Sequence, residues 1–212
     1  MVQTSTLMIY WGYDSRMENR DGRGASNGVD RTINLLGVVA VLTGDAVEAS
    51  REAKLGRGRA SSAAALVALA TFGALTVERL RDTLGVSHSG ASRVIDRLEE
   101  QGWVTRKGLA PGVTDGRVVT VSLTREGRRT ARRLLALRRE ALHQLVQPLD
   151  AQEQRQLADL LGKIVHGRVC DRDQLRRACR TCDHTVCLPC PALEGVEAAE
   201  VVLAQVVERE PV

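Results

Sequence analysis

Apolar residues recur at helical spacing from Val29 to Ala49. Val29, Ile33, Leu36, Ala40 and Val47 form one stripe, and Leu35, Val38, Val39, Leu42 and Ala46 form a second on another face. A helix apolar on two faces requires two partners, its own domain and something beyond it, and a second copy of the chain is the simplest choice for the latter. A Gly/Arg linker from Lys54 to Arg59 follows. Ser61 or Ser62 suits the N-cap of a second helix ending at Phe72, and Thr76 the N-cap of a short third helix, with Leu75 and Leu80 spaced as a hydrophobic staple. Gly85 fits a left-handed helix stop, Ser87 caps a fourth helix running to about Gln101, and Gly102 ends it. Trp103–Arg106 and Val118–Leu123 read as two strands of a hairpin whose long tip carries Pro111, Gly112, Asp115 and Gly116. Thr124 caps a fifth helix that Pro148 breaks. Asp150 with Glu153 spells a capping box for a sixth, striped by Leu157, Leu160, Leu161, Ile164 and Val165.

The predicted order is four helices, two strands, two helices: an α+β fold, mainly α. Residues 1–27, polar and Gly-rich after Tyr13, read as a disordered leader, with Met17 as an internal start. Residues 28–168 form the main region, with a core unit at 61–123. Residues 169–192 are basic and Cys-rich, and 193–212 are an acidic amphipathic tail. Composition adds little except by its gaps. Of the aromatics, Tyr10, Trp11 and Tyr13 stand in the leader and only Phe72 and Trp103 in the body, so the core must be packed from Leu, Val, Ile and Ala. The net charge of +4 is too small to identify a partner without its distribution. No uninterrupted apolar run reaches the length of a membrane span, and a cytoplasmic protein is expected.

The most informative segment is Thr76–Leu98. Two helices flank the tight turn Leu84-Gly85-Val86-Ser87, and Leu80, Leu84, Ala91, Val94, Ile95 and Leu98 fall where a helix-turn-helix buries apolar groups. Ser87, His88, Ser89, Gly90, Ser92, Arg93, Asp96 and Arg97 are left outside. Short polar residues at a helix start admit the DNA backbone closely, and Arg takes guanine bidentately. Gly90 costs about 1 kcal/mol of helix propensity against Ala, which a close approach by DNA would explain. Arg106, Lys107 and Arg117 place positive charge on the hairpin, and Asp115 is spaced to orient Arg117 for a narrow minor groove. Arg128, Arg129, Arg132 and Arg133 either reach phosphates or form a solvated helix face. No nucleophile–base–acid spacing appears, so an enzyme is not expected.

Gly102-Trp103-Val104-Thr105-Arg106, Asp115-Gly116-Arg117-Val118-Val119 and Leu123-Thr124-Arg125-Glu126-Gly127 together resemble the wing signature of the MarR family of bacterial regulators. The run from Val86-Ser87 to Leu98-Glu99 is similar to its recognition helix. The resemblance covers about residues 28–168. It implies a winged helix-turn-helix with a helical dimerisation region, and a homodimer whose first and last two helices interlock while two wings reach a palindrome on double-stranded DNA. It also implies Arg117 as the minor-groove residue with Asp115 its partner, and a small-molecule effector, of unknown identity, between the lobes. The leader and the Cys-rich tail are departures from the family.

The tail carries Cys179-x2-Cys182-x4-Cys187-x2-Cys190. Paired knuckles of this spacing suit one zinc ion per chain held by four thiolates. A thiol–disulfide switch and an iron–sulfur cluster are the competing readings, with zinc placed first. Cys170 is the odd one out, and His184 is a substitute ligand. The sequence thus predicts a DNA-binding transcriptional repressor acting as a homodimer, responsive to metal or redox state. The alternative is a zinc- or thiol-responsive interaction module that binds a protein partner.

Overall fold

The computed structural model describes residues 28–108 and 119–207, with the backbone alone for residue 108 and for 202–207. The predicted leader and the hairpin tip that carries Asp115 and Arg117 lie outside the described residues. The chain divides into two compact units, residues 1–41 and 42–212.

In the first unit the described residues, 28–41, are helical throughout and form the first part of α1 (Gly28–Leu55); each of their side chains is exposed. Helix α1 begins one residue before the predicted stripe and runs through Lys54 and Leu55, so the linker is only residues 56–59. It buries none of its side chains, and Ile33, Leu36, Val38 and Val41 stand between 49% and 63% exposed. The helix is also long and apolar enough to cross a membrane, by length and composition. The sequence expectation missed this because it counted uninterrupted apolar runs, whereas the helix reaches that length with charges such as Asp45 within it.

In the second unit the core is built around α2 (Ala60–Phe72). Residues Ser62 to Leu69 are all buried, as expected of a helix apolar on every side. Neither Ser61 nor Ser62 caps it. The N-cap is Arg59, without a side-chain hydrogen bond, and Ser62 is inside the core with its hydroxyl lacking a protein partner. The helix starts two or three residues earlier than the capping pattern suggested.

Around α2 pack α3 (Val77–Leu84), α4 (His88–Glu100) and α5 (Arg125–Val146), with β2 (Val104–Gly108) and β3 (Val119–Leu123). Leu66, Leu69, Leu80, Ile95, Leu98, Val104, Val121 and Leu134 share one cluster, with Phe72 and Trp103 at its margin. A further strand that the pattern did not suggest, β1 (Leu75–Thr76), pairs antiparallel with β3 and gives the sheet order β1-β3-β2. Its two residues are too few to show alternation. Leu75 is nevertheless buried, as a staple residue would be. The predicted caps hold elsewhere. Thr76, Ser87 and Thr124 accept from the backbone N–H groups of Arg79, Gly90 and Gly127, and Asp150 with Glu153 forms the capping box that opens α6 (Ala151–His166).

The Cys-rich segment contains α7 (Arg172–Cys179), capped by Asp171, and the tail forms α8 (Pro191–Val207). Helix α8 packs along α6 and α7 against α3. The apolar stripe of α6 is not consumed by this packing: Leu160, Leu161 and Ile164 remain between 45% and 57% exposed.

Candidate nucleic-acid interface

The turn between α3 and α4 is set by local chemistry. Gly85 sits at φ 65°, where its N–H reaches the carbonyls of Arg81 and Asp82 and closes α3. A side chain there would pay the left-handed penalty. Ser87 then opens α4, accepting from Gly90 N at 3.1 Å. Ala91, Val94, Ile95 and Leu98 turn inward, as the spacing predicted, and Leu80 meets them from α3.

The outward residues separate into distinct roles. Ser87, His88, Ser89 and Arg93 are exposed around the first turns of α4. His88 Nδ1 stands 3.9 Å from Glu78, and the hydroxyls of Ser87 and Ser89 are 3.2 Å apart. Ser92 is half-buried and donates back to the His88 carbonyl at 3.2 Å. Arg97 is half-buried too, lining a hollow beside Leu55, Arg59 and Trp103 and so turned toward the body. Gly90 is half-buried in the first turn of α4. A Cβ there would stand 3.2 Å from the Ser87 hydroxyl and 3.4 Å from the Val86 side chain, crowding the cap itself.

Arg106 is where the charge reading changes most. Its guanidinium pairs with both Asp96 and Glu99 of α4, and its backbone N–H points at Glu99 at 3.4 Å. The hydrogen bond to Asp96 and the neighbouring charge of Glu99 hold it protonated, against some desolvation. Its charge is therefore already paired, tying the base of the hairpin to α4. Lys107 is the exposed cation of β2; its carbonyl accepts from Thr120 Oγ1 at 3.1 Å across the ladder. The α5 arginines are partly committed as well. Arg128 donates to the Leu123 carbonyl at 2.9 Å, and Arg129 pairs with Glu126.

Among the described residues, the exposed polar and basic groups here are Ser87, His88, Ser89 and Arg93 on the N-terminal turns of α4, and Lys107 on β2. Elsewhere the end of α2, the end of β3, the start of α5 and residues Asp183–Thr185 border a crevice of ≈ 690 Å³ that Arg128 and Arg132 help line.

The thiols of the tail also gather. Cys179 and Cys190 both pack on the small cluster Val169, Ala192 and Val196. The Cys179 thiol hydrogen bonds with Cys182, which pushes Cys182 down to about 6 against the opposing effect of burial. Burial and the neighbouring Cys182, Cys190 and Asp183 push the Cys187 thiol up. All four are free thiols, as is Cys170, which is exposed and apart. Among the described residues, no three His, Cys, Asp or Glu side chains form a ready-made cradle for an ion.

Residues 56–117 match the family model described as MarR family. A transcriptional repressor of Escherichia coli K12, MprA, is 33% identical over 82 residues, 39% of this chain and 45% of that protein. The chain thus spans less than half the length of the curated relatives it matches. Among solved structures, the YusO protein of Bacillus subtilis is similar with a TM-score of 0.54 at 25% identity, over 66% of this chain and 97% of that one. The apo form of MarR from Escherichia coli gives 0.52 at 25%, over 62% and 94%.

Proposed function

We propose, from the match of residues 56–117 to the MarR family model, that the protein is a MarR-like, sequence-specific, double-stranded-DNA-binding transcriptional repressor that acts as a homodimer in the cytoplasm. The observation that carries the reading is the division of charge at the α4–β2 edge. Arg106 is paired with Asp96 and Glu99, whereas Arg93 and Lys107 are exposed and have no ion-pair partner among the described residues. With the exposed hydroxyls and imidazole of Ser87, Ser89 and His88, they are of the types that bind bases and phosphates, and Arg93 stands on the helix that a winged domain offers to the major groove.

The homodimer is supported by the exposed stripes of α1 and of α6, each an apolar surface that the described residues leave uncovered. A palindromic operator follows from two-fold symmetry. The crevice beside Arg128 and Arg132 offers a seat for a small anionic effector.

Arg117 keeps its proposed role as the minor-groove contact of the wing, with Asp115 as its orienting partner. Arg117→Ala and Arg93→Ala are each expected to weaken operator binding by about 1–3 kcal/mol, the scale of a groove-contacting arginine. Thermal unfolding should be unchanged, since Arg93 is exposed and makes no contact that the fold depends on. Fluorescence anisotropy on a labelled operator gives the affinities. Unchanged binding by both variants removes the α4–wing edge from recognition and favours a protein partner for this module.

A further inference from the structure

We propose that Cys179, Cys182, Cys187 and Cys190 form a four-thiolate zinc site that fastens α7 to α8, and through them ties the helix-turn-helix to the α6 helix. The site stands independently of the DNA reading; only its effect on operator binding rests on that reading.

The first support is convergence. The two Cys-x2-Cys pairs bracket the junction between the end of α7 and the start of α8. Cys179 is the last residue of α7, and Cys190 immediately precedes Pro191, the first of α8. In the first pair Cys182 N–H turns back to the Cys179 carbonyl at 3.0 Å. In the second, the Cys190 carbonyl accepts from Leu193 and Glu194, each at 3.0 Å. The first pair is thus held by a short backbone turn, and Cys190 is held by the first turn of α8. The Cys179 and Cys182 thiols touch, and Cys187 and Cys190 lie near enough for their charge to act on Cys179. The four side chains do not already form a cradle for an ion, so binding requires the thiols to turn toward one another.

The second support is what the segment lacks. The link from Arg180 to Cys190 has little apolar contact of its own: Val186 is 68% exposed and Leu188 80%. Among the described residues the cluster beneath it has three buried members, Val169, Ala192 and Val196, with Leu175, Cys179 and Cys190 packed against them. Where a small core joins a helix pair, metal or covalent staples are the usual supplement to burial. Four thiols lose their protons as Zn²⁺ enters, leaving a local charge of about −2. Arg177 and Arg180 beside the first pair, and Arg138, whose charge already acts on Cys182, provide the offset; Asp183 opposes it.

The third support is where the two helices lead. Helix α7 meets α3 of the helix-turn-helix, with Arg79 Nη1 on Asp173 at 3.3 Å, and Thr71 at the end of α2 reaches the Cys182 carbonyl at 3.5 Å. Helix α8 is pressed on the end of α6, where a Cβ at Gly195 would stand 2.4 Å from the His166 carbonyl and 2.6 Å from that of Val169. Arg172 and Glu200 bridge α7 to α8 at 3.0 Å. A clasp at the cysteines therefore fixes the angle between two helices that hold different parts of the molecule.

The test uses the full-length protein, purified without chelator under reducing conditions. One zinc per chain is expected by elemental analysis. Cobalt in its place should give the strong near-ultraviolet thiolate absorption of a tetrahedral four-sulfur site. The double variant Cys182→Ser/Cys187→Ser should lose the metal, while Cys170→Ser retains it. Removing zinc should raise amide exchange in α7, α8 and α3, and weaken operator binding on the order of tenfold, within the usual range of coupling between sites. Failure to take up zinc at micromolar concentration, or a Cys179–Cys182 disulfide in its place under mild oxidation, overturns the metal site. Zinc bound with unchanged exchange in α3 overturns the coupling. Loss of exchange protection with unchanged DNA binding leaves the clasp standing and contradicts only its role in DNA recognition.

Discussion

Gly127→Ala is expected to destabilise the protein by on the order of 3 kcal/mol, at the severe end of overpacking substitutions. Helix propensity alone argues the reverse, since Ala gains about 1 kcal/mol over Gly inside a helix. Space decides. A Cβ at residue 127 would lie 1.9 Å from the Trp103 carbonyl oxygen and 2.9 Å from its carbon. These are backbone atoms at the joint where β2 leaves α4, and they cannot swing aside as a flexible side chain would. The same carbonyl accepts from Thr124 N–H at 3.0 Å, so moving it also breaks the entry to α5. For a chain of this size the loss corresponds to roughly 6–12 °C in thermal midpoint. Gly162→Ala, in α6 with nothing within 4 Å of its Cβ, is the control and should be neutral or slightly stabilising. A Gly127→Ala protein as stable as the parent would show that the α4–β2–α5 joint is far looser than described.

Leu42→Asp is expected to abolish the dimer without unfolding the subunit. Leu42 stands 50% exposed on α1, so its own fold does not need it. In an apolar interface between two copies an unpaired carboxylate costs several kcal/mol, which raises the dissociation constant by about a hundredfold or more. Ile164→Asp, on the 50% exposed stripe of α6, should act in the same direction. Sedimentation of parent and variants at micromolar concentration, with circular dichroism to confirm the helices, measures both effects. A monomeric parent refutes the dimer. Partition of the parent into lipid vesicles through α1 would assign that helix to a membrane, for which it has the length and hydropathy.

Local rules made much of this fold readable. Thr76, Gly85, Ser87, Thr124 and the Asp150–Glu153 box are short-range devices, each fixed by one or two neighbouring peptide groups, and each stands where its residue type required. The buried positions of α4 followed from period alone. Features set by tertiary context were not readable. Helix α2 ignored its serine caps because core burial outweighed a capping bond, and β1 exists only because β3 lies beside it. The exposed residues of α4 could be named but not sorted. That Arg106 is spent on Asp96 and Glu99, and Arg97 turned toward the body, depends on contacts across elements that no single-helix pattern encodes. Gly90 carries a further, local constraint, the crowding a Cβ would meet at Ser87 and Val86, which the sequence reading of a close DNA approach does not include.

The central claim is that the α4–wing edge reads DNA, and selection of bound duplexes from a random-sequence pool by the full-length protein tests it most directly. The account predicts enrichment of a palindromic site, with affinity that falls steeply as salt rises because phosphate contacts release counterions. It also predicts loss of that enrichment in the Arg93→Ala protein. A pool that stays random, with no salt-dependent association of the folded parent protein, would contradict it.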